Sequence, residues 1–264
     1  MTTFARRSGR RHPLTFALLL TLGLFATGGI YAATSATMAS AETTPVAFES
    51  LVDEGEKLFM ANCASCHGMS GEGSEAGPTV IGVGALSVDF QVGTGRMPMA
   101  ASGPQAAVKP VQFTQPQIDA MAAWVASLAP GPGLPEAKYY DAEGDAAGGA
   151  ELFRINCAMC HNVAGAGGAL TEGKYAPHLR DLQPIHIYGA MVTGPQNMPV
   201  FNDMNLTPEQ KNDVITYLKY MDENPSVGGF SLGSLGPVSE GLFIWLIGLG
   251  GLIAVAIWLT ARSN

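Results

Sequence analysis

The chain has 264 residues, 47% hydrophobic and only 14% charged, with a formal net charge of −8. Of its 22 Asp and Glu, 21 lie between Glu42 and Gly236, where only nine of the 14 Lys and Arg are found. That acidic field disfavours nucleic acid and anionic lipid head groups as partners. It leaves two readings open, a solvated surface on an exported domain or a face that meets a complementary partner.

The chain begins with Arg6, Arg7, Arg10 and Arg11, followed by an uncharged run from Leu14 to about Ala33. Basic residues ahead of an apolar run form an export signal. Ala39-Ser40-Ala41 fits a small-residue cleavage site but lies beyond the run, and the run approaches the roughly 20 residues that span a bilayer. Residues 1–41 therefore read as an export signal or an N-terminal membrane anchor.

Next comes Gly55-Glu56-Lys57-Leu58-Phe59-Met60-Ala61-Asn62-Cys63, leading into Cys63-Ala64-Ser65-Cys66-His67. The pattern returns as Gly149-Ala150-Glu151-Leu152-Phe153-Arg154-Ile155-Asn156-Cys157 and Cys157-Ala158-Met159-Cys160-His161. Further matches make this an internal repeat: Gly77-Pro78 with Ala176-Pro177-His178-Leu179, and Thr94-Gly95-Arg96-Met97-Pro98 with Thr193-Gly194-Pro195-Gln196-Asn197-Met198-Pro199. Each copy closes on a helical pattern. Thr114 leads to Ile118, Met121, Trp124 and Val125, and Thr207 leads to Val214, Tyr217 and Leu218. Both threonines suit an N-cap, with proline in the first turn. The copies are assigned to residues 48–129 and 145–222. The Pro- and Gly-rich segment 130–144 between them reads as a stiff linker, and 223–239 as a tether.

The last segment, 240–261, reads as a transmembrane helix. Leu242 to Thr260 carries no charge, has Trp245 and Trp258 near its ends and is followed by Arg262. A helix apolar all round is rarely the core helix of a soluble domain. Positive charge beyond both apolar segments places both termini in the cytoplasm, and the repeats on the outer face of the cell membrane.

C-x-x-C-H is the attachment motif of c-type haem. At helical spacing two thiols and an imidazole face one porphyrin: the thiols add across the vinyl groups and the imidazole becomes an axial ligand. Cys63, Cys66, Cys157 and Cys160 are the four cysteines of the chain, so two covalently attached haems c are expected, with His67 and His161 as axial ligands. A shared zinc site is disfavoured because its halves usually lie within about 20 residues. Two disulfides suit an exported protein but leave the paired histidines unexplained. Met97 and Met198 both precede proline at one place in the repeat and are chosen as sixth ligands; Met99, Met191 and Met204 compete, and His178 or His186 offers a bis-His alternative. The aromatic residues Phe59, Trp124, Phe153 and Tyr217 are read as core. The Gly82-Val83-Gly84 and Gly165-Ala166-Gly167-Gly168 runs are read as close backbone approach around haem. Each half is near the lower size limit for a self-sufficient core, and a haem supplies the missing apolar bulk.

The order of helix, C-x-x-C-H, loop, methionine and last helix resembles the class I cytochrome c fold. That resemblance implies a mainly α protein of two tandem domains, in which Gly55 and Phe59 cross Trp124, and Gly149 and Phe153 cross Tyr217. It also implies that the Pro78 and Pro177 carbonyls accept a hydrogen bond from the proximal imidazoles. With its membrane helix, and with stretches such as Met191 to Pro199 and Gly167 to Pro177, the whole chain resembles the dihaem cytochrome c subunit of the actinobacterial cytochrome bc complex. The resemblance implies an electron-transfer subunit of a quinol–cytochrome-c reductase with no substrate site of its own. Its partners would be the Rieske iron–sulfur and cytochrome b subunits and the copper subunit of a terminal oxidase, with the first haem as acceptor and the second as donor. A dihaem subunit of a cbb-type oxidase or a periplasmic dehydrogenase is the alternative, although such oxidase subunits resemble this chain only in their haem domains and are anchored from the N-terminal side. A dihaem peroxidase needs an open haem, which two equivalent Met-Pro sites argue against.

Overall fold

The computed structural model describes residues 13–39, 45–101, 103–224, 232 and 237–262. The arginines at 6–11, the 40–41 part of the small-residue cleavage site and most of the 223–239 tether lie outside the described residues. The chain divides into the units Met1–Ser50 and Leu51–Asn264.

Helix α1, Pro13–Ala39, contains the apolar stretch Ala17–Gly29. The Thr21 and Thr27 hydroxyls donate to carbonyls three and four residues back, which satisfies a polar group without water.

Within the larger unit the first repeat is built by the C-terminal part of α2 (Pro45–Asn62), by α3 (Ala64–His67), α4 (Gly84–Gly93) and α5 (Gln115–Leu128). The second repeats the plan with α6 (Ala146–Asn156), α7 (Ala158–His161), α8 (Pro184–Thr193) and α9 (Pro208–Glu223). A two-stranded ladder, β1 (Gly168–Ala169) against β2 (Tyr175–Ala176), sits in its loop. Helices α5 and α9 start as their sequences direct. The Gln117 and Gln210 side chains accept from the Thr114 and Thr207 backbone N–H groups at 3.0 and 2.9 Å, with Pro116 and Pro208 in the first turns, where a missing N–H costs nothing.

In each half the first and last helices cross at a glycine. A Cβ on Gly55 would lie 2.0 Å from the Ala120 carbonyl oxygen, and one on Gly149 would lie 1.9 Å from that of Asp213. Beside these crossings the aromatic pairs expected from the sequence meet, with ring centroids 4.3 Å apart for Phe59–Trp124 and 5.5 Å for Phe153–Tyr217.

The two halves are not beads on a string. Leu86 of α4 is 1% exposed because it is buried in the core of the second half with Phe153, Ile187, Tyr188 and Leu218. Gly189 of α8 permits this, since its open face lies against Leu86 and Phe90. Segment 130–144 is held at both ends. The Leu86 N–H donates to the Pro132 carbonyl at 3.1 Å. The buried Asn212 of α9 bonds Lys138 O, Asp141 and the Ala142 N–H. The Gly82-Val83-Gly84 turn thus serves a purpose other than haem approach: Gly84 has φ +76° and lies against Pro132. Glycine announces that something comes close; it does not say what.

The C-terminal segment is α10 (Pro237–Phe243), a π-helical stretch Ile244–Leu249 and α11 (Gly250–Arg262). Val238–Arg262 is 25 residues long, with none of its apolar window buried. At 1.5 Å per residue it reaches about 37 Å, enough for a hydrocarbon core of about 30 Å. The Thr260 hydroxyl bonds back to Ala256 and Ile257 carbonyls, and the Arg262 guanidinium lies 4.7 Å from the Trp258 ring centre, an arrangement suited to a membrane edge.

Candidate haem centres

Each C-x-x-C-H segment is one turn that continues out of the preceding helix. Cys63 N–H donates to Phe59 O (2.7 Å), and Cys66 and His67 N–H donate to Cys63 O (both 3.0 Å). The second copy repeats this with Cys157 to Phe153 (2.9 Å) and Cys160 and His161 to Cys157 (3.1 and 2.9 Å). A residue in the left-handed region then ends the turn, Gly68 at φ +81° and Asn162 at φ +65°. The chain is turned back on itself by Gly73 N–H to His67 O and Gly167 N–H to His161 O.

That reversal delivers the proline. His67 Nδ1 lies 2.7 Å from Pro78 O and His161 Nδ1 lies 2.9 Å from Pro177 O. A carbonyl only accepts, so Nδ1 carries the hydrogen and Nε2 keeps its lone pair for a metal. Burial lowers the pKa of His161 from the ordinary histidine value, opposed by the Pro177 bond. Burial also pushes the Cys63 and Cys157 thiols up to about 11, with the neighbouring Cys66 and Cys160 adding to it. No disulfide forms, and among the described residues no three Cys, His, Asp or Glu side chains converge as a metal cluster.

In the second half Cys157, Cys160, His161 and Met198 line one mostly apolar cavity of about 720 Å³. That volume lies in the range of pockets for large organic ligands. The free thiols, an imidazole with its lone pair available and an apolar wall together fit a covalent haem. Met198 sits in the loop after α8, which ends at Gly194 with φ +58°. Met191 also lines the cavity but is 2% exposed and packed in the core, whereas Met204 is 96% exposed. His178 and His186 both lie on the wall. In the first half Met97 packs against the cluster of Val92, Ile118 and Met121 together with Cys63. Its N–H donates to Gln91 O at 2.9 Å, while Met99 is 37% exposed.

Sequence reasoning missed what the first half contributes to the second cavity. Phe90, Gly93, Thr94, Arg96, Gln105 and Val108 all lie on its wall. His186 is wedged between the halves, with Nε2 3.8 Å from Asp89 Oδ2 and its ring edge-on to Phe90. Gly93 makes room for it, since a Cβ there would stand 2.8 Å from Nε2. Burial lowers the pKa of His186, Asp89 opposes and Arg96 adds to the lowering. A signal that could have pointed to it is the scarcity of Lys and Arg between Glu42 and Gly236, nine in all, of which Arg96 directly precedes Met97.

Paired C-x-x-C-H turns with proline-bonded histidines, on two helical units that share one cross-helix plan, define a c-type cytochrome. The profile of the family described as "Cytochrome c" matches residues 52–129, and that of "Cytochrome C oxidase, cbb3-type, subunit III" matches residues 144–218. The chain is 44% identical to the "Cytochrome bc1 complex cytochrome c subunit" of Corynebacterium efficiens, over 96% of its own length and 90% of the relative's. Identity to the subunit of the same description from Mycobacterium tuberculosis (strain ATCC 25618 / H37Rv) is 42%, over 97% and 96%. The "Cbb3-type cytochrome c oxidase subunit FixP" of Bradyrhizobium diazoefficiens is 31% identical, over 59% of this chain and 53% of that one. The chain belongs to the family of cytochrome bc1 complex cytochrome c subunits. It is an electron carrier that binds haem c.

Proposed function

We propose that the chain holds two haems c and relays electrons on the outer face of the membrane, from the Rieske centre of a quinol-oxidising cytochrome bc complex to the copper subunit of a terminal oxidase. One haem would be held through Cys63 and Cys66, with His67 and Met97 as the residues that bind its iron. The other would be held through Cys157 and Cys160, with His161 and Met198 binding its iron. Residues 48–129 and 145–222 form the haem domains, and residues 240–261 hold them at the membrane beside cytochrome b. The observation that carries this reading is the duplicated turn, in which each histidine directly after a cysteine pair is bonded through Nδ1 to a proline carbonyl.

A bound haem supplies a one-electron Fe(III)/Fe(II) couple. The chain sets the conditions for it. The proline carbonyls fix the tautomer and ring plane of each imidazole and raise its basicity. Thioether ligands favour the ferrous state, and an apolar wall disfavours the extra positive charge of the ferric one, so both raise the potential. Fixing two such sites in one packed body, tethered at the membrane, suits a relay that does not diffuse away.

Gentle extraction of the tagged chain from membranes is expected to bring down cytochrome b and Rieske subunits, with a chain mass that includes two haems. A monodisperse free cytochrome would overturn the assignment to the complex. Co-purification with a cbb-type oxidase instead would favour the family matched by residues 144–218. For the ligands, Met97→His is expected to lower the potential of one haem and leave the other nearly unchanged, read by spectroelectrochemical titration. Unchanged potentials at both haems would remove Met97 from the assignment.

A further inference from the structure

The wall of the second cavity is contributed by both halves, and its one Lys or Arg among the described residues is Arg96, from the first half. The Arg96 guanidinium stacks 4.7 Å from the Phe90 ring centre. Among the described residues it has neither a hydrogen bond nor a carboxylate within ion-pair distance. Asp89 of α4 makes no ion pair with it: Oδ1 receives Gln115 Nε2 at 3.2 Å, and the buried Oδ2, without a hydrogen-bond partner, faces His186 Nε2 at 3.8 Å. A partly buried cation without a counter-charge costs free energy that an incoming anion recovers. The planar fork of a guanidinium suits a carboxylate in two-point contact.

Other contacts hold Arg96 at that wall. The Gln105 side chain makes a two-way bond with the Tyr175 backbone of β2, at 2.9 and 2.8 Å. Leu86 is anchored in the second core, and the open face of Gly93 admits His186. The edge of the first half is thus fastened along the mouth of the second cavity.

We propose that Arg96 of the first domain binds a propionate carboxylate of the haem held in the second domain, so that the second centre is completed only by its neighbour. This rests on the two-haem reading above. Arg96 directly precedes Met97, the proposed ligand of the first haem, so one cation then adjoins both proposed sites, and the fixed seam between α4 and α8 is part of the second haem site. Arg96 is a positioning residue: it touches the rim carboxylate and tunes the iron through charge.

The test is a pair of substitutions, R96Q and R96K, in the full-length chain within its complex, with each haem titrated spectroelectrochemically. Met97→His serves as the marker that assigns the first haem. Removing a positive charge favours the ferric form, so R96Q is expected to lower the potential of the second haem by more than that of the first. R96K, which keeps the charge, is expected to retain most of the second potential. The redox-difference infrared spectrum of R96Q should also show a shifted propionate carboxylate band. An unmoved second haem, a shift as large or larger at the first haem, or an R96K that behaves like R96Q would overturn the proposal. If R96Q does not accumulate, the redox-difference infrared spectrum of R96K decides: exchange of the two-point guanidinium contact for a single ammonium should shift the propionate carboxylate band, and an unshifted band would overturn the proposal. A chain mass showing one haem would instead overturn the two-haem reading and is distinguishable from all of these outcomes.

Discussion

Replacing Cys157 and Cys160 together by serine is expected to leave the second half of the chain without a stable fold, while the first half keeps its haem. The cavity beside these cysteines measures about 720 Å³. Unfilled apolar volume costs roughly 24 cal/mol per Å³, or about 17 kcal/mol here as an upper bound, since the mouth is open to water. A domain is stable by only about 5–15 kcal/mol, so even half that cost exhausts it. The walls must collapse, and Phe153, Val214 and Leu218 then lose the packing that defines α6 against α9. Pyridine haemochrome analysis should show half the haem, and hydrogen exchange should show α6 and α9 unprotected while α5 remains protected. The seam transmits a smaller effect, because Leu86 loses the core in which it is buried. Full protection of both halves in a one-haem chain would mean that the second fold does not depend on its cofactor.

Much of this architecture could be read from the chain because it depends on residues near one another in sequence. The C-x-x-C-H turns, the threonine caps of α5 and α9 and the all-apolar last helix are local patterns, and each carries its own geometry. The proline carbonyls behind His67 and His161 were within reach through family resemblance, since the repeat places them at matching positions. The seam between the halves was not. A repeat is recognised by likeness within each copy, whereas Leu86, His186, Arg96 and Gln105 matter because of contacts between copies. Leu86 has the apolar character of any core residue, and nothing in its spacing says that the core is the other domain's. The same blindness applies to Gly82 and Gly84, whose need for close approach was legible while their true neighbour, the segment around Pro132, was not. Segment 130–144 had the composition of a stiff linker, and nothing in that composition showed that Asn212 and the Pro132 carbonyl fasten it at both ends.

Gly149→Ala is expected to destabilise the second domain by about 3 kcal/mol or more, against the usual preference of helices for alanine. Ordinarily that exchange in a helix interior gains about 1 kcal/mol. Here the added methyl would stand 1.9 Å from the Asp213 carbonyl oxygen and 3.0 Å from the Val214 nitrogen, both backbone atoms of α9. No rotamer change can relieve a contact with backbone, so the helices must separate by more than an ångström. Overpacking of this kind costs about 1–3 kcal/mol where side chains can shift and more where they cannot. Separation also moves Cys157, which directly follows α6, away from Val214 and Leu218 of α9 across the cavity they share. The neighbouring residue provides the control. A Cβ at Gly148 meets the Asp145 side chain, 2.9 Å from Oδ2, and a small rotation relieves that contact while Oδ1 keeps its capping bond from the Ala147 N–H. Gly148→Ala should therefore be close to neutral or slightly stabilising in thermal unfolding of the haem-loaded protein, while Gly149→Ala melts well below it. Gly55→Ala, facing the Ala120 carbonyl at 2.0 Å, should do the same to the first domain. Equal melting of the two adjacent variants would mean that the helix crossing does not depend on the missing side chain at Gly149.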